Sequence, residues 1–153
     1  MSELAEGMTA PSVILPRDGG ELVNISDLSG TVVLYFYPKD DTPGCTKEAI
    51  GFSEHLNAFA ALGTTILGIS KDPVAKHEKF ITKHDLKIAL LSDADGDVCE
   101  RYGVWVEKNM YGKKFMGIER ATFLIVDGKI AKIWRKVKVP EHVESVLKAI
   151  QDL

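Results

Sequence analysis

The chain has 153 residues, of which 45% are hydrophobic and 27% charged, and it is predicted to form one globular domain over residues 1–153. The net charge of −3 and the lack of a basic block argue against a nucleic-acid partner. No membrane partner is expected, because no apolar stretch approaches the roughly 20 residues of a membrane span and the acidic start at 1–7 is unlike a secretory signal.

The N-terminal part of the chain predicts a β-hairpin, a buried strand and a long helix. Short apolar runs at 12–15 and 21–23 flank a Pro-Arg-Asp-Gly-Gly turn, which is a hairpin signal. Residues 31–37 are continuously apolar or aromatic, as in a strand that is buried on both faces. Apolar positions at helical spacing predict one helix over 44–61, which Gly63 ends.

The middle of the chain predicts two more strands, each followed by a helix. A second buried strand over 64–70 leads to Asp72-Pro73, where the aspartate can cap a helix and the proline fits its first turn. A third strand over 87–91 precedes a short helix near 97–102. The stripe of the longer helix consists of Val74, His77, Phe80, Ile81 and His84.

The C-terminal part predicts a hairpin and a final helix. Strands over 121–126 and 129–136 are joined by Asp127-Gly128, and a two-residue Asp-Gly connection is the strongest short-range hairpin signal. Pro140 opens a helix whose inner face consists of Val143, Val146, Leu147 and Ile150. The order of the elements predicts an α/β fold, in which helices cover both faces of a mixed central sheet.

Cys45 is predicted to lie in the first turn of a helix, at the carboxyl end of a buried strand. Open α/β sheets place their chemistry at such strand ends, and free helical N–H groups favour a thiolate there. A lone cysteine is usually a structural apolar residue, but Cys45 stands in a polar loop, so a functional interpretation is favoured. The other cysteine is Cys99, and two cysteines without a CxxC pair fit a reducing cytoplasm.

Four other residues are candidates for assisting the Cys45 thiolate. Thr42 can contact the sulfur or act as an N-cap before a first-turn proline. Pro38 fixes the entry of the loop and can shield the thiolate from water. Glu48 follows Cys45 by one helical turn, where it either complements the helix dipole or holds a cation in place. Arg120 is the best candidate for that cation, although its spacing alone favours an ordinary exposed charge at a strand edge.

The pattern Pro-x-x-x-Thr-x-x-Cys at 38–45 resembles the active-site loop of the peroxiredoxins. The longer string YPKDDTPGCTKEA resembles the bacterioferritin-comigratory-protein (PrxQ) branch of that family. Further matches are LGIS at 67–70, LLSD at 90–93, VCERYGVW at 98–105 and GIERATFLI at 117–125. The resemblance covers roughly residues 4–152 and implies a thioredoxin-like fold with an N-terminal β-hairpin.

The resemblance also implies an activity and the roles of the residues. The expected protein is a thiol-dependent peroxidase that reduces hydrogen peroxide and small organic hydroperoxides without a cofactor. Cys45 attacks the O–O bond and becomes a sulfenic acid. Pro38, Thr42 and Glu48 complete the catalytic set, and Arg120 falls on the catalytic arginine of the family.

The sequence departs from the branch in how the sulfenic acid is recycled. Many PrxQ members carry a resolving cysteine five residues after the first, and here that position is Ile50. Cys99 is a possible resolving residue, but a disulfide requires Cα atoms within about 7 Å, and nothing local brings Cys99 to Cys45. A one-cysteine cycle is therefore favoured, with thioredoxin, glutaredoxin or glutathione as the external reductant.

Several alternatives stay open at this point. The chain could be a redox sensor or adaptor, in which Cys45 is oxidised but signals by docking to a partner, or it could run a two-cysteine cycle through Cys99. A glutathione peroxidase would share the fold, and so would a dithiol oxidoreductase, which the missing CxxC disfavours. Both a monomer and a homodimer are compatible with the sequence. The scattered His55, His77, His84 and His142 are interpreted as face or boundary residues rather than metal ligands.

Overall fold

The computed structural model describes residues 4–153, which contain nine strands and five α-helices. The strands are β1 (Ile14–Pro16), β2 (Leu22–Asn24), β3 (Thr31–Phe36), β4 (Thr64–Ser70), β5 (Ala89–Ser92), β6 (Trp105–Met110), β7 (Lys113–Ile118), β8 (Ala121–Val126) and β9 (Lys129–Trp134). The helices are α1 (Pro43–Glu54), α2 (Leu56–Ala61), α3 (Val74–His84), α4 (Val98–Arg101) and α5 (His142–Gln151). Within residues 4–153, every helix is too short or too polar to cross a lipid bilayer.

The central sheet is mixed and has the strand order β5-β4-β3-β8-β9. β3, β4 and β5 run parallel because helical crossovers connect them, whereas β8 is antiparallel to β3 and β9 is antiparallel to β8. The register pairs Phe36 at the end of β3 with Ala121 at the start of β8. Arg120, the residue before β8, is therefore placed where the chain leaves β3 towards α1. The predicted mixed sheet and N-terminal hairpin are confirmed.

The side chains of β3 alternate between two separate cores. Val32, Leu34 and Phe36 pack on the side that the N-terminal hairpin and α4 cover, which we call the α4 face. Val33 and Tyr35 pack on the side that α1, α2, α3 and α5 cover, which we call the α1 face. The two predicted helical layers are unequal in size, because α4 is the one α-helix that packs on the α4 face within the described part of the chain.

Two tight hairpins share one turn geometry, but only one of them was predicted. Asp127 and Gly128 both have positive φ angles, 50° and 80°, as a two-residue type I′ connection requires. Tyr111 and Gly112 join β6 to β7 with φ angles of 54° and 79°. The second hairpin was missed because tyrosine is uncommon in a left-handed conformation and because β6 lacks a regular apolar alternation.

The helix predicted over 44–61 is in fact two helices that meet at His55, so that prediction was wrong in length. The Nδ1 atom of His55 lies 2.9 Å from the Gly51 carbonyl oxygen, which the His55 backbone N–H also contacts at 3.2 Å. A side chain that competes for a helical carbonyl weakens the ladder at that point. The final helix begins at His142 rather than at Pro140, because Glu141 adopts a left-handed φ of 66°.

Candidate active site

Cys45 lies in the first turn of α1, directly after the loop that leaves β3. Thr42 occupies the N-cap position, and its carbonyl accepts the Thr46 N–H at 2.8 Å to form the first helical hydrogen bond. The N–H groups of Gly44 and Cys45 come before that bond, so they remain available as donors beside the thiol. The predicted position of Cys45 at a helix start is thus observed, with the positive end of the helix dipole next to the sulfur.

Arg120 contacts both Cys45 and Glu48 with a single guanidinium group. Its Nη2 donates to the Cys45 Sγ at 3.3 Å, and its Nη1 donates to the Glu48 Oε1 at 2.6 Å. The Arg120 carbonyl accepts the Val137 N–H at 3.0 Å, which fixes the backbone behind the side chain. The planar guanidinium suits such a two-sided contact, since its donors are held in a rigid fork.

Close approach of the arginine depends on the small residue before the cysteine. A Cβ atom at Gly44 would lie 3.2 Å from the Arg120 Nη2 and 3.9 Å from the Val139 Cγ2. The missing side chain therefore leaves the space in which the guanidinium reaches the sulfur.

Glu48 is fully buried, and this burial controls its ionisation. Burial raises the pKa of Glu48 to about 7, while the adjacent Arg120 acts in the opposite direction. Burial also lowers the pKa of Arg120, but the charges of Glu48 and Cys45 outweigh that effect and raise it overall. The Glu48 Oε2 atom has no hydrogen-bond partner among the residues that the structure describes. The ion pair with Arg120 is therefore the main interaction that favours the ionised carboxylate.

Thr42 is oriented by the loop itself. Its hydroxyl donates to the Lys39 carbonyl at 2.9 Å, and its side chain forms no cap hydrogen bond with α1. The expected N-cap position is thus correct, but the expected side-chain cap is absent. Because the hydroxyl proton is engaged by Lys39, the hydroxyl oxygen keeps its lone pairs available as acceptors. Pro38 is half-buried at the entry of the same loop.

Both cysteines are free thiols, and they lie on opposite faces of the sheet. Cys45 is 2% exposed and packs on the α1 face, whereas Cys99 is fully buried on the α4 face. The Cys99 N–H donates to Asp93 Oδ2 at 2.8 Å. Burial and the Asp93 carboxylate raise the pKa of the Cys99 thiol, which disfavours its nucleophilic thiolate. The structure thus brings Cys45, Glu48 and Arg120 together and keeps Cys99 apart from them.

The sequence analysis missed a group of polar residues that hold the Cys45 loop. His77, interpreted as a face or boundary residue, is fully buried and lies 2.6 Å from the Asp40 carboxylate. His84 and Lys83 contact the next residue, Asp41, at 2.8 and 2.7 Å. The available signal was the spacing of His77 and His84, which are seven residues apart and therefore share one face of α3.

Known proteins resemble this chain along most of its length. The AhpC/TSA family matches residues 7–133. A putative peroxiredoxin bcp of Coxiella burnetii is 54% identical over 143 residues, with 92% of this chain and 95% of the relative covered. The peroxiredoxin Bcp of Bacillus subtilis is 48% identical over 149 residues, with 96% and 95% covered.

Solved structures share both the fold and the sequence pattern. The bacterioferritin comigratory protein of Xanthomonas campestris is 42% identical, with a TM-score of 0.86 over 92% of this chain and 90% of that one. A PrxQ mutant of Xylella fastidiosa is 38% identical, with a TM-score of 0.93 over 99% and 98% of the two chains. The chain therefore belongs to the AhpC/TSA family, within its Bcp (PrxQ) peroxiredoxins, and it is a thiol-dependent peroxidase.

Proposed function

We propose that Cys45 is the residue that reduces the peroxide, with Arg120, Glu48, Thr42 and Pro38 as its catalytic surroundings. The observation that carries this proposal is the Arg120 guanidinium, which donates to the Cys45 sulfur at 3.3 Å while Glu48 holds it from the other side. A cation and a helix N-terminus converge on one sulfur atom, and both favour its thiolate.

The first half of the reaction transfers two electrons from sulfur to the peroxide. The thiolate attacks one peroxide oxygen, so that an S–O bond forms while the O–O bond breaks. The bonding electrons leave with the second oxygen, which takes up a proton and departs as water or as an alcohol. Cys45 is thereby oxidised to a sulfenic acid.

The surrounding groups act on the two oxygens of the substrate. The Thr42 hydroxyl donates to Lys39, so its oxygen can accept the O–H of the attacked peroxide. Arg120 and the first-turn N–H groups of Gly44 and Cys45 offer donors to the oxygen on which negative charge develops. Pro38, half-buried at the entry of the loop, is proposed to limit water around the thiolate.

We also propose that an external thiol completes the cycle. That thiol attacks the sulfenic sulfur and expels water, which leaves Cys45 in a mixed disulfide. A second external thiol then attacks this mixed disulfide, so that Cys45 is released as a thiol and the two external thiols depart as a disulfide. Thioredoxin, glutaredoxin and glutathione are the candidate reductants.

Cys99 is disfavoured as an internal partner because it is buried on the α4 face. A monomer and a homodimer are both compatible with this cycle. Two free thiols fit a reducing compartment, and we place the reaction in the cytoplasm.

Hydrogen peroxide and organic hydroperoxides are the proposed substrates. The Xanthomonas campestris relative is described by its alkyl peroxide reduction activity.

The test is peroxide consumption in the presence of an excess of dithiothreitol, comparing wild type with Cys45→Ser and with Cys99→Ser as the matched control. Cys45→Ser is expected to abolish consumption while the circular dichroism spectrum is retained, because the residue lies in a loop–helix junction. Turnover that survives in folded Cys45→Ser would refute the proposal.

A further inference from the structure

The loop before Cys45 carries two consecutive aspartates, and both are bound by α3. The first, Asp40, is 3% exposed and uses both carboxylate oxygens. Its Oδ1 accepts the Tyr37 hydroxyl at 2.5 Å, and its Oδ2 lies 2.6 Å from the Nδ1 of His77. The other ring nitrogen of His77, Nε2, lies 2.9 Å from the Leu91 carbonyl oxygen. A single buried imidazole therefore links the Cys45 loop to the central sheet.

The partners of His77 determine which of its nitrogens carries a proton. A carbonyl oxygen only accepts, so the Nε2 must donate to Leu91. The contact between the Nδ1 and the Asp40 carboxylate is a second hydrogen bond, so both ring nitrogens of His77 are engaged. Burial of such a pair is tolerated because each charge or dipole is compensated by its neighbour.

Asp72 holds the same loop through its backbone. Its Oδ2 accepts the Asp40 N–H at 2.8 Å and the Ser70 hydroxyl at 2.7 Å. Asp40, Asp72 and His77 offer ligand-type atoms within 4.8 Å of one another, an arrangement that could also suggest a metal site. Because these atoms are engaged in the hydrogen bonds just described, we interpret the cluster as a support for the loop.

The second aspartate, Asp41, is bound at the surface by the end of α3. Lys83 Nζ lies 2.7 Å and His84 Nε2 lies 2.8 Å from its carboxylate, and these hydrogen bonds lower the pKa of Asp41. Asp41 also has a left-handed φ of 60°, a conformation that aspartate tolerates better than most residues. The position of this turn in the loop is therefore specified from α3 at two successive residues.

We propose that His77 is a positioning residue for peroxide reduction, because through Asp40 it holds the loop in the geometry in which Cys45 meets Arg120. This inference rests on the proposed role of Cys45. Asp40 is five residues before Cys45, and the intervening segment includes the Thr42 hydroxyl that is fixed on Lys39. A small displacement at this point would move both the thiolate and the acceptor that orients the peroxide. Misplacement by about 1 Å in an active site can reduce the rate about 100-fold.

Two substitutions separate positioning from simple support of the fold. Asn at position 77 can place its amide near the position of Nδ1, so that the bond to Asp40 is kept and the bond to Leu91 is lost. Gln can place its amide near the position of Nε2, so that the bond to Leu91 is kept and the bond to Asp40 is lost. Each variant loses one buried hydrogen bond, but His77→Gln leaves the buried Asp40 carboxylate without this partner, so its thermal midpoint is expected to decrease more than that of His77→Asn.

The experiment measures the rate constant at which Cys45 is oxidised by hydrogen peroxide, with rapid quenching and mass spectrometry of the sulfenic acid trapped by dimedone. His77→Gln is expected to lower this rate constant about 10-fold to 100-fold, and His77→Asn is expected to recover much of the loss. Partial unfolding would instead lower the amplitude of the oxidation phase and leave its rate constant unchanged. Equal rate constants in the two variants would overturn the proposal.

Two variants of surface aspartates provide a second test in case the His77 variants fail to fold. Asp41→Asn weakens the contacts with α3, whereas Asp85→Asn changes an exposed aspartate with a similar φ of 51° and a lysine partner, Lys87, outside the loop. Slower oxidation in Asp41→Asn alone supports positioning by α3, and equal rates in both variants contradict it. Cys45→Ser serves as a separate arm, because consumption of peroxide by that variant would refute the role of Cys45 and not that of α3.

Discussion

Cys45 and Cys99 are buried against opposite faces of the same central sheet. Neighbouring residues of β3 separate them, since Val33 and Tyr35 pack on the side of Cys45 while Leu34 packs on the side of Cys99. A bond between the two sulfurs would require one of these segments to leave its core. This separation supports the proposed cycle, in which a thiol from outside reduces the oxidised Cys45.

The first prediction concerns Cys99. Cys99→Ser is expected to retain turnover with an external thiol, because the residue takes no part in the proposed cycle. After one equivalent of hydrogen peroxide, the wild-type protein is expected to gain the mass of one oxygen, as for a sulfenic acid, rather than lose two hydrogens. Intact-mass spectrometry and a steady-state peroxidase assay make these two measurements.

The control for that experiment is Cys45→Ser, which should show neither the mass gain nor the turnover. Should Cys99→Ser lose turnover while its first oxidation by peroxide survives, Cys99 would be the resolving residue and the one-cysteine cycle would be wrong.

The sequence predicted the residues around the Cys45 sulfur better than the polar residues that hold the Cys45 loop. Cys45 could be placed because an apolar strand, a polar loop and a helical stripe follow one another in a short segment. Arg120 depended on the resemblance to the peroxiredoxins, since nothing in the local pattern says that β8 pairs with β3 and brings residue 121 beside Phe36. Pairing of distant strands is decided by the whole fold and leaves little trace in local spacing.

Tertiary contacts explain what the sequence left out. The predicted stripe of α3 included His77, but its burial was missed because its partner Asp40 is 37 residues away and lies in a loop without periodicity. The hairpin of β6 and β7 has Tyr111 where a turn residue would be expected. The break at His55 arises from a side-chain contact with Gly51 that helical propensity does not describe.

The second prediction concerns Arg120. Arg120→Ala is expected to slow the oxidation of Cys45 by about 100-fold to 1000-fold, the range seen when a preorganised donor is removed from an active site. Arg120→Lys keeps the charge but loses the two-sided contact, so an intermediate rate is expected. Stopped-flow oxidation by hydrogen peroxide and the rate of alkylation by iodoacetamide report the reactivity of the thiolate directly.

Removal of Arg120 also leaves the buried Glu48 carboxyl without its partner. Because burial already favours the neutral form of Glu48, we expect it to be protonated at neutral pH and the unsatisfied group to destabilise the fold by about 1–3 kcal/mol. The double variant Arg120→Ala with Glu48→Gln should recover much of that stability but not the rate. Wild-type reactivity in Arg120→Ala would exclude the guanidinium from the chemistry.

The third prediction concerns Thr42. Thr42→Val keeps the shape of the side chain but removes both the bond to Lys39 and the acceptor for the peroxide, so oxidation is expected to slow by about 10-fold or more. Thr42→Ser retains the hydroxyl and is expected to remain close to wild type. Iodoacetamide, which does not need the acceptor, should alkylate Cys45 at similar rates in both variants. An equal loss of peroxide and iodoacetamide reactivity in Thr42→Val would show that the hydroxyl acts on the thiolate instead.

The last prediction concerns the pH dependence of stability that Glu48 produces. Its folded-state pKa of about 7 lies above the ordinary value of 4.5, because burial favours the neutral carboxyl more strongly than Arg120 favours the carboxylate. Between these two pH values the folded state holds a proton that the unfolded state releases. The contribution of Glu48 to the free energy of unfolding therefore falls as pH rises through this window, by at most about 1.4 kcal/mol per pH unit.

His142 acts in the opposite direction over part of the same window, so a comparison of variants is needed to isolate Glu48. Burial lowers the pKa of His142 to about 4 from 6.5, and its contribution to stability rises with pH between those values. The free energy of unfolding is measured in urea for wild type and Glu48→Gln at several pH values between 4.5 and 7. Because both proteins contain His142, its contribution cancels when one free energy is subtracted from the other. Relative to wild type, Glu48→Gln should gain stability as pH rises, whereas the exposed control Glu107→Gln should show no such trend. A wild-type minus Glu48→Gln difference that stays constant with pH would mean that Glu48 remains ionised throughout.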